Sequence, residues 1–242
     1  MIFEKLISVF TTLNQANANA FGPNLADALY KSGIIKKAKQ QFSNAERLIQ
    51  QSYSIYNNLY KKDVNTFIQP FTEIAVALAD IHGRLRLFSK AENEYRQALL
   101  IIDQIKSSNR NIYTSLLAEI QSGRAALSMY TNDYSAAEKL FKEALSKRRS
   151  LDSIYPLSQE PDIAAVQTKL AAVYIQQKKI DAAKVLLTRS LEVYKKFQQT
   201  SPLIFTPLAA EVQALLGDVY TARADLGTYA VNKPDSTAAH DY

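Results

Sequence analysis

Four stretches of the chain repeat one another at intervals of 46 residues: FSNAERLIQQSY from residue 42, FSKAENEYRQAL from 88, YSAAEKLFKEAL from 134 and IDAAKVLLTRSL from 180. Five columns stay in register across all four copies. Ala45, Ala91, Ala137 and Ala183 form one. Ile49, Tyr95, Phe141 and Leu187 follow four residues on, and Ser52, Ala98, Ala144 and Ser190 three further. Phe42, Phe88, Tyr134 and Ile180 open each copy, and Leu59, Ile105, Leu151 and Phe197 close it. A fixed period of this length marks a stack of supersecondary units, each burying its apolar face against its neighbours. Within a copy the apolar spacing is three and four, so the element is an amphipathic helix. The small residues let a neighbouring helix approach closely, and the large residue between them fills the space beside that contact. We designate this helix B; in the first copy it is expected over about 42 to 60.

A second helical pattern, A, precedes each B helix. Its columns are Leu78, Leu170 and Leu216, then Ala79, Ala171 and Gly217, then His82, Tyr174 and Tyr220. The first and third copies are degenerate, with Ser32, Gly33 and Lys36 in one and Arg124, Ala125 and Ser128 in the other. Low glycine and abundant Ala, Leu, Gln, Lys and Glu favour helix throughout.

LLGDVY (215–220) and LAAVY (170–174) resemble the tetratricopeptide signature L-G-x-x-Y, and AENEY and AEKLF resemble its A-x-x-x-F. The usual period of that family is about 34 residues. The longer repeat here is similar to the repeats of kinesin light chains, above all over residues 160–194. The extra residues are expected to lengthen helix B and the following loop, where Pro156, Pro161, Pro202 and Pro207 fall. The resemblance implies an all-α, right-handed α-solenoid of four TPR-like helix hairpins. The hairpins are expected at about 21–60, 66–106, 110–151 and 160–198, with a capping helix at 204–226, making residues 21–226 one solenoid. Residues 1–20 read as an amphipathic helix and linker, and 227–242 as a mobile polar tail.

Composition excludes several chemistries. The absence of cysteine removes disulfides, thiolate metal sites and cysteine nucleophiles. With His82 and His240 the only histidines, a zinc site or a histidine-based triad has no set of residues to draw on. No glycine-rich phosphate loop or paired histidine–carboxylate motif occurs, so neither a cofactor, a metal nor a catalytic residue is expected. His82 reads as a packed core residue. No apolar run reaches the roughly 20 residues that span a bilayer. A soluble compartment such as the cytoplasm is therefore expected. Export is the alternative, because ANA at 16–18 or 18–20 resembles a signal-peptide cleavage site.

The resemblance also implies that A helices line a concave groove that holds a peptide. The groove columns read off the sequence give Asp27 and Tyr30 in copy one, and Glu73, Val76, Asp80 and Arg84 in copy two. Copy three gives Glu119, Ser122 and Tyr130, copy four gives Thr168 and Gln176, and the cap gives Glu211 and Asp218. These columns are acidic in a chain whose net charge is +6. The expected partner is therefore another protein or peptide, neutral or basic, held by charge-assisted hydrogen bonds to carboxylates. The basic clamp by which some tetratricopeptide modules grip a C-terminal carboxylate has only Lys37 and Arg84 as candidates. The asparagines of kinesin-light-chain grooves are replaced here by Ala77, Gly123, Lys169 and Leu215. An interaction scaffold or adaptor is the leading reading. A regulator that senses a peptide ligand is the alternative, and a nucleic-acid binder using scattered basic pairs stands third.

Overall fold

The computed structural model describes the backbone of residues 2–231 and the side chains of residues 2–222. Ten α-helices account for nearly all of it, and no strand occurs among the described residues. The chain divides into two compact units, Met1–Tyr155 and Pro156–Tyr242. The first holds α1 (Ile2–Ala16) and three hairpins: α2 (Ala18–Ala38) with α3 (Phe42–Lys62), α4 (Val64–Arg84) with α5 (Phe88–Ile102), and α6 (Arg110–Tyr130) with α7 (Tyr134–Asp152). A 3-10 turn, Asp103–Ile105, prolongs α5. The second unit holds the hairpin of α8 (Glu160–Gln176) and α9 (Ile180–Gln198), followed by α10 (Pro202–Val231).

Capping side chains set several helix starts. The Asn17 side chain accepts from Ala20 N, so α2 begins at Ala18, ahead of the expected residue 21. Asp63 accepts from Thr66 N and is the single residue between α3 and α4. Asn109 and Asp133 cap α6 and α7 in the same way. The B-to-A connection is therefore not lengthened at every copy; residues 153–159 form the long one. Pro161 and Pro202, expected in loops, stand instead in the first turns of α8 and α10, where the missing N–H has no helical partner to lose. Pro207 lies inside α10. This helix runs through Val231, past residue 226, and the remaining tail, 232–242, lies outside the described residues.

Every A-to-B turn is built alike. Gln40, Arg86, Asn132 and Lys178 take left-handed conformations, with φ of 57°, 61°, 60° and 59°. The next residue's N–H then reaches back to an A-helix carbonyl: Gln41 to Lys36, Leu87 to His82, Asp133 to Ser128 and Lys179 to Tyr174, at 2.8–2.9 Å. That bond satisfies a carbonyl the helix end leaves orphaned. It is formed without glycine in any copy.

The repeat columns are the core. Ala45, Ala91, Ala137 and Ala183 are fully buried, as are Ile49, Phe141 and Leu187, and Tyr95 is 1% exposed. Each large residue contributes about 1.5–3 kcal/mol by burial. The small column packs B onto A so closely that a serine there reaches the A backbone. Ser52 Oγ donates to Ala26 O at 2.7 Å and Ser190 Oγ to Ala164 O at 3.0 Å. A Cβ on Gly33 would lie 2.4 Å from Ile49 Cγ1, which is why copy one carries glycine there.

One segment among the described residues is long and apolar enough to cross a membrane: Pro202–Ala222 of α10, at a mean hydropathy of 1.2. It meets that measure narrowly, where the sequence pattern points to none. In this fold Ala209, Val212 and Val219 bury one side of it in the core of the second unit, and Glu211 and Asp218 stand on its exposed positions.

Candidate functional site

The A-helix columns separate into two sets, one in each unit. In the first unit, Tyr30 of α2 lies within electrostatic reach of Glu73 of α4 and Glu119 of α6. Burial pushes the Tyr30 hydroxyl up to about 12, and the negative charges of Glu119 and Glu73 add to that effect. Glu73 accepts from Gln69 Nε2 at 3.0 Å. Val76 and Ser122, one turn along their helices, are buried at 7% and 8% exposure. Among the described residues Ser122 Oγ has no hydrogen-bond partner, whereas its counterpart in the second unit, Thr168, donates to Ala164 O at 2.9 Å.

Asp27 and Asp80 have partners within this unit. Asp27 accepts from the buried Tyr56 hydroxyl at 2.6 Å. Burial and that hydrogen bond together hold Tyr56 well above the ordinary tyrosine range. Asp80 pairs with Lys37 from α2 at 3.1 Å and with Arg84 from its own helix at 3.2 Å. Two cations on one carboxylate leave this end of the A face net positive. Tyr130 packs beside Gly83. In the second unit Thr168 is buried, while Gln176, Glu211 and Asp218 are exposed.

Burial works to raise Asp80, but the Lys37 and Arg84 charges and hydrogen bonds prevail and hold it below the usual carboxylate range. A carboxylate with a lowered folded-state pKa stabilises the fold above its unfolded value, and that stability is lost as pH falls through the folded value. Asp80→Asn is therefore expected to cost about 1.5–3 kcal/mol at neutral pH. The difference from wild type should shrink below about pH 4 in urea titrations across pH.

The sequence missed a polar cluster behind the A face. His82 is fully buried on α4, between the two B helices α3 and α5. Its Nε2 lies 2.9 Å from Glu46 Oε1, and its Nδ1 lies 2.5 Å from Glu94 Oε2. Lys90 also reaches Glu46, at 3.5 Å. Burial works to raise Glu46, and the bonds and charges of His82 and Lys90 bring it below its ordinary value. The core position expected for His82 is what the fold gives it, with two carboxylates as partners besides. Its repeat column, otherwise tyrosine at 174 and 220, carries no sign of them. Among the described residues, no group of three or more His, Asp and Glu side chains is arranged to hold a metal ion.

Paired antiparallel helices with small-residue contacts, repeated at a constant period, define a tetratricopeptide-type helical repeat fold. The solved structure of BtubC (BKLC) from P. vanneervenii has this fold and is similar along nearly its whole length. The TM-score is 0.58 at 18% sequence identity, over 99% of this chain and 94% of that one. No family model matches the chain, and no curated protein matches it. The chain thus has a helical repeat fold.

Proposed function

We propose that this protein is an interaction scaffold whose A-helix face holds a peptide segment of a partner protein, binding without catalysis. The observation that carries this reading is that the charges of Glu73 and Glu119, on successive A helices, both act on Tyr30 of the A helix before them. Two carboxylates acting on one aromatic residue suit a lysine or arginine side chain, which takes charge-assisted hydrogen bonds and a cation–π contact together. The partner segment is accordingly basic.

Peptide arrays of systematically varied charge, followed by fluorescence titration, test this. The expected result is selection of Lys- or Arg-containing peptides. Glu73→Gln and Glu119→Gln should each weaken binding about tenfold or more, the scale of one charged hydrogen bond. No preference for cationic peptides, or full affinity in both variants, overturns the reading.

A further inference from the structure

In the 46-residue register α1 is a B helix. Phe3 falls in the column of Ile49, Tyr95, Phe141 and Leu187, Leu6 in that of Ser52, Ala98, Ala144 and Ser190, and Leu13 in that of Leu59, Ile105 and Leu151. Ile7 and Phe10 pack on α2, as a B helix packs on the following A helix. The face that a B helix turns to its own A helix is bare among the described residues. Ile2, Leu6 and Val9 stand there, 76%, 38% and 54% exposed. The matching column, from Ser52 to Ser190, is fully buried in all four copies.

The other half of such a hairpin is α10, an A helix with no B helix against it among the described residues. Ala26, Thr72, Ala118 and Ala164 are buried beneath their B helices, yet Ala210 in the same column is exposed. Ala79, Ala125 and Ala171 are likewise fully buried, and a Cβ on Gly217 would meet nothing within 4 Å.

We infer that the bare α10 face of one copy receives α1 of a second copy, completing a hairpin in head-to-tail association. Five periods on, Ala210 would oppose Leu6, by the spacing that joins Ser52 to Ala26, and Gly217 would oppose Phe3, by the spacing that sets Ile49 against Gly33. Leu6 is bulkier than its column mates. Gly217, where three copies carry alanine, leaves added room opposite Phe3.

Charge favours this pairing over α10 against itself. The segment 202–222 carries Glu211 and Asp218 and no Lys or Arg, so two copies of it repel. On successive A helices Lys37 and Asp80 pair at a spacing of 43 residues. The same spacing sets Asp218 of one copy against Lys31 of the next. Both are exposed, and among the described residues neither makes an ion pair within its own chain. The contact is heterologous, so it propagates rather than closing at two.

Sedimentation velocity from micromolar to submillimolar concentration tests the inference on the full chain. Wild type is expected to grow beyond dimer as concentration rises. Leu6→Glu and Ala210→Glu, both at exposed positions and checked by circular dichroism, should each remain monomeric. Their equimolar mixture retains one intact pair of faces and should stop at two chains. Lys31→Asp alone should weaken growth, and Lys31→Asp with Asp218→Lys in one chain should restore it. A wild type that stays monomeric throughout overturns the inference. So does a variant that associates like wild type, or a mixture that stays monomeric.

Discussion

Replacing His82 by leucine is expected to lower unfolding stability by about 3 kcal/mol, because it removes the buried ring that both Glu46 and Glu94 hydrogen-bond. One buried ring thus bridges Glu46 and Glu94, which belong to B helices of different copies. Breaking one member of such a group costs more than removing all of it, since the charges that remain are desolvated. The triple variant His82→Leu/Glu46→Gln/Glu94→Gln should accordingly recover most of the loss. Urea denaturation of the two variants beside wild type checks the comparison. Equal destabilisation of both would mean that ring volume, not charge, is what the site requires.

The second large effect is expected at Tyr95, which is 1% exposed on α5. Truncation to alanine should cost about 3–5 kcal/mol through lost burial and the cavity left behind. The ring lies against Gly123 of α6, where an added Cβ would stand 2.6 Å from the Tyr95 hydroxyl oxygen and from Cε1. Gly123→Leu alone should therefore destabilise by about 1–3 kcal/mol or more through overpacking. In the Tyr95→Ala background the same leucine would enter the space the ring has left, and the double variant should be more stable than the sum of the single changes implies. Thermal and chemical denaturation of the four chains gives the coupling directly. Simple additivity would show that the two positions relax independently.

These two sites show what was legible in the sequence. Tyr95 could be found because its column recurs at a constant interval, with a large residue between small ones in every copy, and packing is what that pattern encodes. His82 sits in a column that holds Lys36, Ser128 and two tyrosines in the other copies, and its partners Glu46 and Glu94 fall in two different columns of the B helices. The A-to-B turns were hidden for another reason. A left-handed residue usually announces itself as glycine or asparagine. Here Gln40, Arg86 and Lys178 adopt it, and Asn132 alone is of the usual type. The closing hydrogen bond and the packing of both flanking helices hold the conformation.

The acidic A face was half legible. The columns place the charges of Glu73 and Glu119 where they act on Tyr30, but they do not reveal that Lys37 and Arg84 neutralise Asp80. Repeats align at 46 residues, while Lys37 and Asp80 of successive A helices pair at 43, a stagger that belongs to helix packing and not to the period. Reading charge down a column therefore overstates the acidity of the face.

Within each unit, helices contact the next helix in the chain or the next but one. Low sequence separation of this kind favours fast folding, since little loop entropy must be lost before a contact is made. It also ties assembly to the direction of synthesis. As the polypeptide leaves the ribosome, each hairpin needs only the segment just made and the one about to emerge. An A helix waits for its B helix, and a completed hairpin then covers the apolar edge of the one before it. The nascent chain can thus bury its surface a step at a time, never exposing more than about one hairpin's worth of core to its surroundings.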